Sequence, residues 1–184
     1  MTLRETRAAW ILLLGLCLAV SLATGQSSSD QSLGERLPGA WRLVSVETIK
    51  ANGDMIYPFY GKHPQGILIY DKSGWMSVQI ASDPRSTVPS ADSREDFNAA
   101  PAVDKAKAID SYYAYFGTWT VDSAAATVTH HIEQSLYPAE RGETGVRHLT
   151  LEGDRLTLTA KAHEMGEDHT RKLVWERIRA GARQ

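Results

Sequence analysis

The fold is decided by residues 145–162, which read GVRHLTLEGDRLTLTAKA. Leu149 and Leu151 alternate with polar residues before a Gly-Asp pair, and Leu156 and Leu158 alternate with polar residues after it. Such alternation is typical of a β-strand with one buried face. A glycine-containing turn between two such runs predicts a β-hairpin. The segment therefore predicts two antiparallel strands whose leucines face a common core.

Runs of the same kind recur along the chain, rich in β-branched, leucine and aromatic residues and separated by turn residues. The predicted strands cover residues 40–50, 66–71, 74–81, 115–122, 127–136, 145–152, 155–162 and 170–179. A longer segment, residues 82–111, lies between the third and fourth strands. Pro101 and the alanine and lysine residues after it predict a short helix over residues 101–113.

These strands predict an all-β fold, an eight-stranded antiparallel barrel with one short helical insertion near the barrel mouth. Short turns between sequential strands favour an up-and-down barrel, because closure leaves no exposed strand edge. A barrel of eight strands has room for packed side chains or for one small ligand. A two-sheet sandwich is the alternative architecture.

The composition is that of an ordinary globular domain. The chain has 184 residues, of which 42% are hydrophobic and 23% charged, and its formal net charge is −2. This length favours a single domain that buries a substantial core. The near-neutral charge argues against a nucleic acid or an anionic membrane surface as the main partner. The oligomeric state does not follow from the sequence.

The amino-terminal residues have the pattern of a secretory signal peptide. Arg4 and Arg7 precede an apolar run over residues 10–23, and small residues occupy positions 23–25. The run is about 14 residues long, too short to span a bilayer core of about 30 Å. We therefore expect a signal peptide over residues 1–25 and a secreted or periplasmic protein. An uncleaved amino-terminal anchor is the alternative.

Cleavage at this point would leave three further parts of the chain. We expect a flexible polar leader over residues 26–36, a barrel domain over 37–179 and a short tail over 180–184. Cys17 is the only cysteine and would be removed with the signal peptide. The mature protein would then have no disulfide bond, no thiolate metal site and no integral membrane segment.

Two polar residues share the apolar faces of the fifth and sixth predicted strands. His130 alternates in step with Val128 and Ile132, and Arg147 alternates in step with Leu149. Both side chains are therefore expected to point into the barrel. A buried arginine is costly unless it is paired or hydrogen-bonded. His130 and Arg147 thus need a partner, and the hairpin between their strands allows them to approach each other.

Two partners satisfy this requirement. The first is a ligand whose polar or anionic group binds Arg147 and His130. The second is an internal network with Ser45 or Glu47, which alternation from Trp41 places inside the barrel. Both residues therefore join the candidate ligand-binding set.

Aromatic and apolar side chains complete the predicted lining of the barrel. Met76, Tyr115 and Trp119 fall on inward faces and are candidates for contact with a ligand. Tyr70 and Trp75 are further aromatic side chains that would stack against a ring. Simple core packing is the alternative for all of these aromatic residues.

The histidines do not predict a metal site or a cofactor. His130 and His131 are adjacent on a strand and point to opposite faces, so they cannot bind one ion together. His131 and Glu133 share a face but lack the third ligand that zinc requires. We interpret this pair as part of a solvated outer face. The remaining histidines are predicted at the surface, and they are His63, His148, His163 and His169.

Two motifs at the ends of the predicted barrel resemble the calycin signature shared by lipocalins. Gly39-Ala40-Trp41 opens the first strand, and Trp175-Glu176-Arg177 lies in the last. More specifically, the chain resembles the bacterial and fungal lipocalin-like domain family. The matching runs cover residues 37–43, 66–70, 74–78, 115–118, 128–133, 145–147 and 173–177.

The resemblance implies a barrel closed at one end by Gly39, Trp41 and Arg177, with the arginine packed over the tryptophan ring in a cation–π contact. It favours the carriage of a small molecule. It implies no particular reaction, because the family shares no single activity.

The sequence therefore predicts non-covalent binding of a small apolar or amphipathic molecule with one polar or anionic group. Hydrolase, metalloprotease, P-loop and dinucleotide motifs are absent from the sequence. An isomerase or cyclase is the alternative, with His130 as acid or base and Arg147 stabilising developing negative charge. A structural or envelope protein with a filled barrel is the third hypothesis.

Overall fold

The computed structural model describes most of the chain after the amino-terminal segment. The described residues are 32–57, 60–89, 91–164, 166–179 and 181. The expected signal peptide, the first part of the expected leader and most of the expected tail lie outside these residues. Those three assignments stay predictions.

The described residues form nine strands and four short helices. The strands are β1 (Gly39–Lys50), β2 (Met55–Ile56), β3 (Gln65–Tyr70), β4 (Trp75–Ala81), β5 (Tyr112–Asp122), β6 (Thr127–Ser135), β7 (Thr144–Glu152), β8 (Arg155–Glu164) and β9 (Glu167–Arg177). The helices are α1 (Leu33–Arg36), α2 (Arg94–Ala99), α3 (Ala102–Asp110) and a 3-10 helix (Pro138–Glu140). None of these helices has the length and apolar character needed to span a membrane.

Eight of the strands close into an antiparallel barrel. From β3 to β9, each strand pairs with the next along the chain, and β1 pairs with both β3 and β9. The two-residue strand β2 adds to the edge of β1 beyond the part that pairs with β3. The closure between β1 and β9 confirms the predicted barrel and excludes an open sandwich. Each predicted strand matches one barrel strand to within three residues at either end.

The insertion between β4 and β5 contains two helices rather than the one predicted. Helix α2 begins after Ser93, whose Oγ accepts a hydrogen bond of 3.1 Å from the backbone N–H of Asp96. This is a typical N-cap interaction. Helix α3 begins after Pro101, as expected, but ends at Asp110. The last residues of the predicted helix belong instead to β5.

The barrel core follows the predicted alternation on most strands. On β4, Met76, Val78 and Ile80 are buried, and on β8, Leu156 and Leu158 are buried. These side chains pack into one continuous cluster inside the barrel. Side chains of this size each contribute about 1.5–3 kcal/mol when fully buried. The interior is therefore the main source of the stability of the fold.

A β-bulge in β1 corrects the prediction for Ser45 and Glu47. The pairing of β1 with β9 shifts register between Leu43 and Ser45. Beyond this point Val46 and Thr48 are the buried residues, at 1% and 3% exposure. An extra residue in one strand reverses the faces of all residues that follow. The prediction that Ser45 and Glu47 face the interior is therefore wrong.

One end of the barrel is closed by Trp41 and Arg177. The Arg177 guanidinium lies 4.0 Å from the centroid of the Trp41 ring. Its Nη1 donates a hydrogen bond of 2.9 Å to the carbonyl oxygen of Pro38. Trp41 Nε1 donates a hydrogen bond of 3.0 Å to the carbonyl oxygen of Leu37. These contacts anchor the chain that enters β1.

Helix α1 lies within the segment expected to be a flexible leader. Its residues 33–36 are helical, and the Ser32 N–H donates a hydrogen bond of 3.1 Å to a carboxylate oxygen of Glu35. Leu33 packs against the barrel core. The packed part of the chain therefore begins before residue 37.

Candidate functional site

A cavity of about 220 Å³ lies inside the barrel. Four strands supply the side chains of its apolar wall. These side chains are Leu68, Val78, Ile80, Leu158, Leu173 and Trp175. The polar part of the lining comes from β5, β6, β7, β9, the 3-10 helix and two loop residues. The cavity thus combines apolar surface with a few convergent polar groups, as ligand pockets generally do.

His130 lies at the centre of the polar lining. It is 1% exposed, and β6 directs it inward between Val128 and Ile132. Its Nε2 lies 2.6 Å from the hydroxyl oxygen of Tyr70, and its Nδ1 lies 2.7 Å from that of Tyr115. Burial lowers the pKa of His130 well below its usual value, and the nearby Arg147 lowers it further. The imidazole is therefore neutral at physiological pH.

Arg147 enters the same region from β7. Its Nη1 donates a hydrogen bond of 2.8 Å to the carbonyl oxygen of Gly145, and its Nη2 donates one of 3.3 Å to the hydroxyl oxygen of Tyr115. Among the described residues, no carboxylate lies within ion-pair distance of Arg147. This guanidinium thus has hydrogen-bond partners but no counter-charge there.

Gly145 allows the guanidinium to adopt this position. A Cβ atom at residue 145 would lie 2.5 Å from Arg147 Nη1, which is too close for a non-bonded contact. Gly145 also pairs with His130 across β6 and β7. The absent side chain therefore leaves the space in which Arg147 folds back toward Tyr115.

Tyrosine side chains and one carboxylate line the cavity at the end of the barrel opposite Trp41. Tyr113 Oη donates a hydrogen bond of 2.9 Å to Glu140 Oε2, and its ring stacks on Tyr137 with centroids 5.7 Å apart. Burial raises the pKa of Tyr60 and Tyr113 well above the usual value for tyrosine. These hydroxyl groups therefore stay protonated and act as neutral donors.

Three of the residues predicted to bind a ligand line the cavity together: Tyr115, His130 and Arg147. His130 and Arg147 do not contact each other directly. The hydroxyl group of Tyr115 connects them, because it lies within hydrogen-bond distance of both. The proposed alternative partner Glu47 instead accepts a hydrogen bond of 3.2 Å from Lys172.

The other predicted aromatic and apolar contacts lie outside the cavity lining. Met76 is 3% exposed and belongs to the core near the closed end of the barrel. The Trp119 ring packs 4.8 Å from that of Tyr70, and its Nε1 donates to the carbonyl oxygen of Asp71. Trp75 is 47% exposed. Met76 and Trp119 are therefore packing residues that do not line this cavity.

Several lining residues were absent from the predicted site, and two of them follow the strand alternation. Arg171 lies two residues before the inward-facing Leu173, and Tyr113 lies two residues before Tyr115. Extending each alternation by one step would have found both. The remaining polar ones lie in loops or in the 3-10 helix, where no periodicity applies, and they are Tyr60, Tyr137 and Glu140.

The structure places the histidines other than His130 outside the cavity lining, with one correction to their predicted exposure. His131 Nε2 lies 3.3 Å from Thr120 Oγ1 near the surface, and Glu133 is exposed. Three or more metal-binding side chains do not cluster anywhere in the described part of the chain. His169 is only 8% exposed, so its prediction as a surface residue is wrong. It occupies an inward position of β9, two residues before Arg171.

The comparisons with known proteins agree with this architecture. A family model described as a lipocalin-like domain matches residues 38–178. A search of curated proteins finds no match to the chain. The family match includes every barrel strand and every strand residue that lines the cavity. The chain therefore belongs to the lipocalin-like domain family.

Proposed function

We propose that the protein binds a small, mostly apolar molecule with one polar or anionic group inside the barrel. The membership of the lipocalin-like family supports ligand binding in general. The observation that carries the proposal is the cavity of about 220 Å³, with its apolar wall and convergent Tyr115, His130 and Arg147. Cavities with several polar lining groups normally hold water or a ligand.

The cavity volume limits the size of the ligand. An apolar cavity of about 150 Å³ is enough for benzene, and pockets for drug-sized molecules begin at about 300 Å³. At about 220 Å³, the barrel accepts a compound with one ring and a small substituent. The apolar ring would contact Leu158, Leu173 and Val78, and the substituent would contact Arg147.

The binding proposal is tested by thermal unfolding of the protein with single-ring compounds such as toluene, phenol and benzoate. Saturation to 100 times Kd stabilises a protein by about 2.7 kcal/mol, which corresponds to a rise in Tm of about 5–10 °C for a domain of this size. Native mass spectrometry of the purified protein identifies a ligand that co-purifies. Unchanged Tm with every compound, together with an empty protein by mass spectrometry, would contradict the proposal.

An isomerase or cyclase is the second candidate function. It is favoured by the continuous chain of hydrogen-bonding groups from Arg147 through Tyr115 and His130 to Tyr70, which offers a route for a proton. Both ring nitrogens of His130 are occupied by tyrosine hydroxyl groups, so a reacting atom would meet Tyr115 first. Turnover that survives His130→Phe would exclude His130 as the acid or base.

We also propose that the protein is exported and that residues 1–25 are removed. The support is the sequence pattern of two arginines, a short apolar run and small residues at 23–25. Mass spectrometry of the protein from its native source should give an amino terminus at Gln26. An intact Met1 would refute export with cleavage.

A further inference from the structure

The protonation pattern around His130 determines which groups remain available to a ligand. A neutral imidazole donates from one ring nitrogen and accepts at the other. If Nδ1 carries the proton, it donates to Tyr115, and Tyr70 donates to Nε2. The Tyr115 oxygen also accepts a hydrogen bond from Arg147. The hydroxyl proton of Tyr115 is then free to donate to a group in the cavity.

The opposite tautomer is less favourable. If Nε2 carried the proton, it would donate to Tyr70, and the Tyr70 hydroxyl proton would need another acceptor. Tyr70 is 1% exposed, and no second acceptor lies within hydrogen-bond distance of its hydroxyl group among the described residues. A buried donor without an acceptor costs about 1–3 kcal/mol. With the proton on Nδ1, the hydroxyl proton without a protein acceptor belongs to Tyr115, which lines the cavity, whereas Tyr70 does not. A group in the cavity can accept the proton of Tyr115, and this difference favours the proton on Nδ1.

Both groups that face the ligand at this point are then donors. The hydroxyl group of Tyr115 and the guanidinium of Arg147 are 3.3 Å apart, so one ligand oxygen can contact both. Neither of these two groups has a lone pair left to accept a proton from a ligand.

The charged side chains of the lining favour an anion beside Arg147. Its charged side chains are Arg147 of β7, Arg171 of β9 and Glu140 of the 3-10 helix, and His130 is neutral. The Glu140 carboxylate accepts hydrogen bonds from Tyr113 and Ser135, which stabilise its charge. Arg147 has no carboxylate partner among the described residues, so its positive charge is available to an anion at this point. The hydroxyl groups of Tyr60, Tyr113 and Tyr137 complete the titratable lining.

We propose that the cavity binds a small cyclic or aromatic acid as its conjugate base, a carboxylate or phenolate whose oxygen accepts hydrogen bonds from Tyr115 and Arg147. His130 and Tyr70 are positioning residues that direct the Tyr115 hydroxyl proton into the cavity. This inference rests on the proposed binding function. It adds that the site discriminates between the charged and neutral forms of one molecule.

The test uses 4-nitrophenol, whose anionic and neutral forms absorb differently in the visible range. We expect the anion to bind at least ten-fold more tightly than the neutral form, so that the pKa of the bound probe falls by about one unit or more. Nitrobenzene provides a neutral ring of similar size without an ionisable group. Its affinity, measured by calorimetry, reports on the apolar cavity alone.

Variants assign the discrimination to the two donors. Tyr115→Phe and Arg147→Met should each lower the ratio of anion affinity to neutral affinity by about ten-fold. Tyr70→Phe should lower the ratio by about two-fold or more, because it removes the hydrogen bond that fixes the tautomer of His130. Arg155→Met removes an exposed arginine of β8 and should leave the ratio unchanged. Circular dichroism confirms that each variant is folded.

The outcomes separate this inference from the proposed function. Equal binding of the anionic and neutral forms by the unmodified protein would overturn the inference and leave ligand binding intact. A preference for the anion that persists in folded Tyr115→Phe and Arg147→Met variants would also overturn it. If neither 4-nitrophenol nor nitrobenzene binds, the proposed function fails and the inference fails with it.

Discussion

His130 influences the cavity through hydrogen bonds rather than through charge. Its ring is neutral, and both nitrogens are held by tyrosine hydroxyl groups at 2.6 and 2.7 Å. The charge in this region belongs to Arg147, which has no carboxylate partner among the described residues. His130 therefore orients the hydroxyl group of Tyr115 as a donor, and Arg147 supplies the positive charge.

This division predicts the behaviour of Arg147→Met. Methionine keeps much of the side-chain volume and removes a charge that no carboxylate balances. The free energy of unfolding without ligand should change by about 1 kcal/mol or less, while affinity for an anionic ligand should fall ten-fold or more. Urea unfolding and calorimetry measure the two effects. A loss of about 3 kcal/mol in the unliganded protein would instead indicate a structural ion-pair network.

The buried His130 also predicts how stability depends on pH. Its pKa in the folded state is below the value of about 6.5 in the unfolded chain, so below pH 6.5 the unfolded state binds one more proton than the folded state. The contribution of His130 to the free energy of unfolding is fully present above pH 6.5 and is lost as the pH falls toward the folded-state pKa. Stability should decrease by about 1.4 kcal/mol per pH unit below 6.5 until the folded-state pKa is reached.

Urea unfolding between pH 7 and pH 5 measures this slope. The phenylalanine in His130→Phe cannot take up a proton. The free energy of unfolding of this variant should therefore fall less steeply with pH, by about 1.4 kcal/mol per pH unit. The exposed His148 provides a matched control, because His148→Phe removes an exposed histidine of β7. Parallel slopes for the unmodified protein and His130→Phe would show that His130 is readily protonated in the folded state.

At the scale of the element, strand alternation predicts the interior where strands are regular and fails where they are not. Alternation alone places His130 and Arg147 inside the barrel. The register shift after Leu43 leaves a trace in the sequence, because Val44 and Val46 alternate with the polar Ser45, but alternation counted from Trp41 misses it. Tyr60 of a loop and Glu140 of the 3-10 helix reach the cavity through long-range closure of the barrel, which no local pattern encodes.

The β-bulge in β1 predicts opposite outcomes for two neighbouring residues. Val46→Ala removes buried methyl groups and should lower the free energy of unfolding by about 2 kcal/mol. Ser45→Ala alters a partly exposed residue and should change it by about 0.5 kcal/mol or less. Chemical denaturation of the two variants gives both values. The reverse order of costs would mean that β1 keeps a regular alternation from Trp41 onward.

At the scale of the whole molecule, packing and binding occupy different ends of the barrel. Trp41, Arg177 and α1 fill the closed end. The cavity lies toward the other end, where tyrosines and Glu140 line it. A protein that keeps a cavity in its core gives up dispersion contacts that a filled core would make. A substitution that fills the cavity should therefore keep or raise the free energy of unfolding while it lowers ligand affinity.

Val78→Phe tests this separation. Val78 lies on the apolar wall, and a cavity of about 220 Å³ has room for one phenyl ring. The variant should keep its stability or gain up to about 2 kcal/mol, because the new ring replaces empty space with contacts. Its affinity for nitrobenzene and for 4-nitrophenol should fall ten-fold or more, since the ring occupies their site.

Ile69→Phe is the matched control for Val78→Phe. Ile69 is 38% exposed on the outer face of β3, so the same ring added there should change neither ligand affinity nor the free energy of unfolding by a large amount. Thermal unfolding and calorimetry on the pair compare an added ring inside the barrel with one outside it. Unchanged ligand affinity in a folded Val78→Phe protein would place the binding site elsewhere, because a ligand and the new ring cannot share a volume of this size.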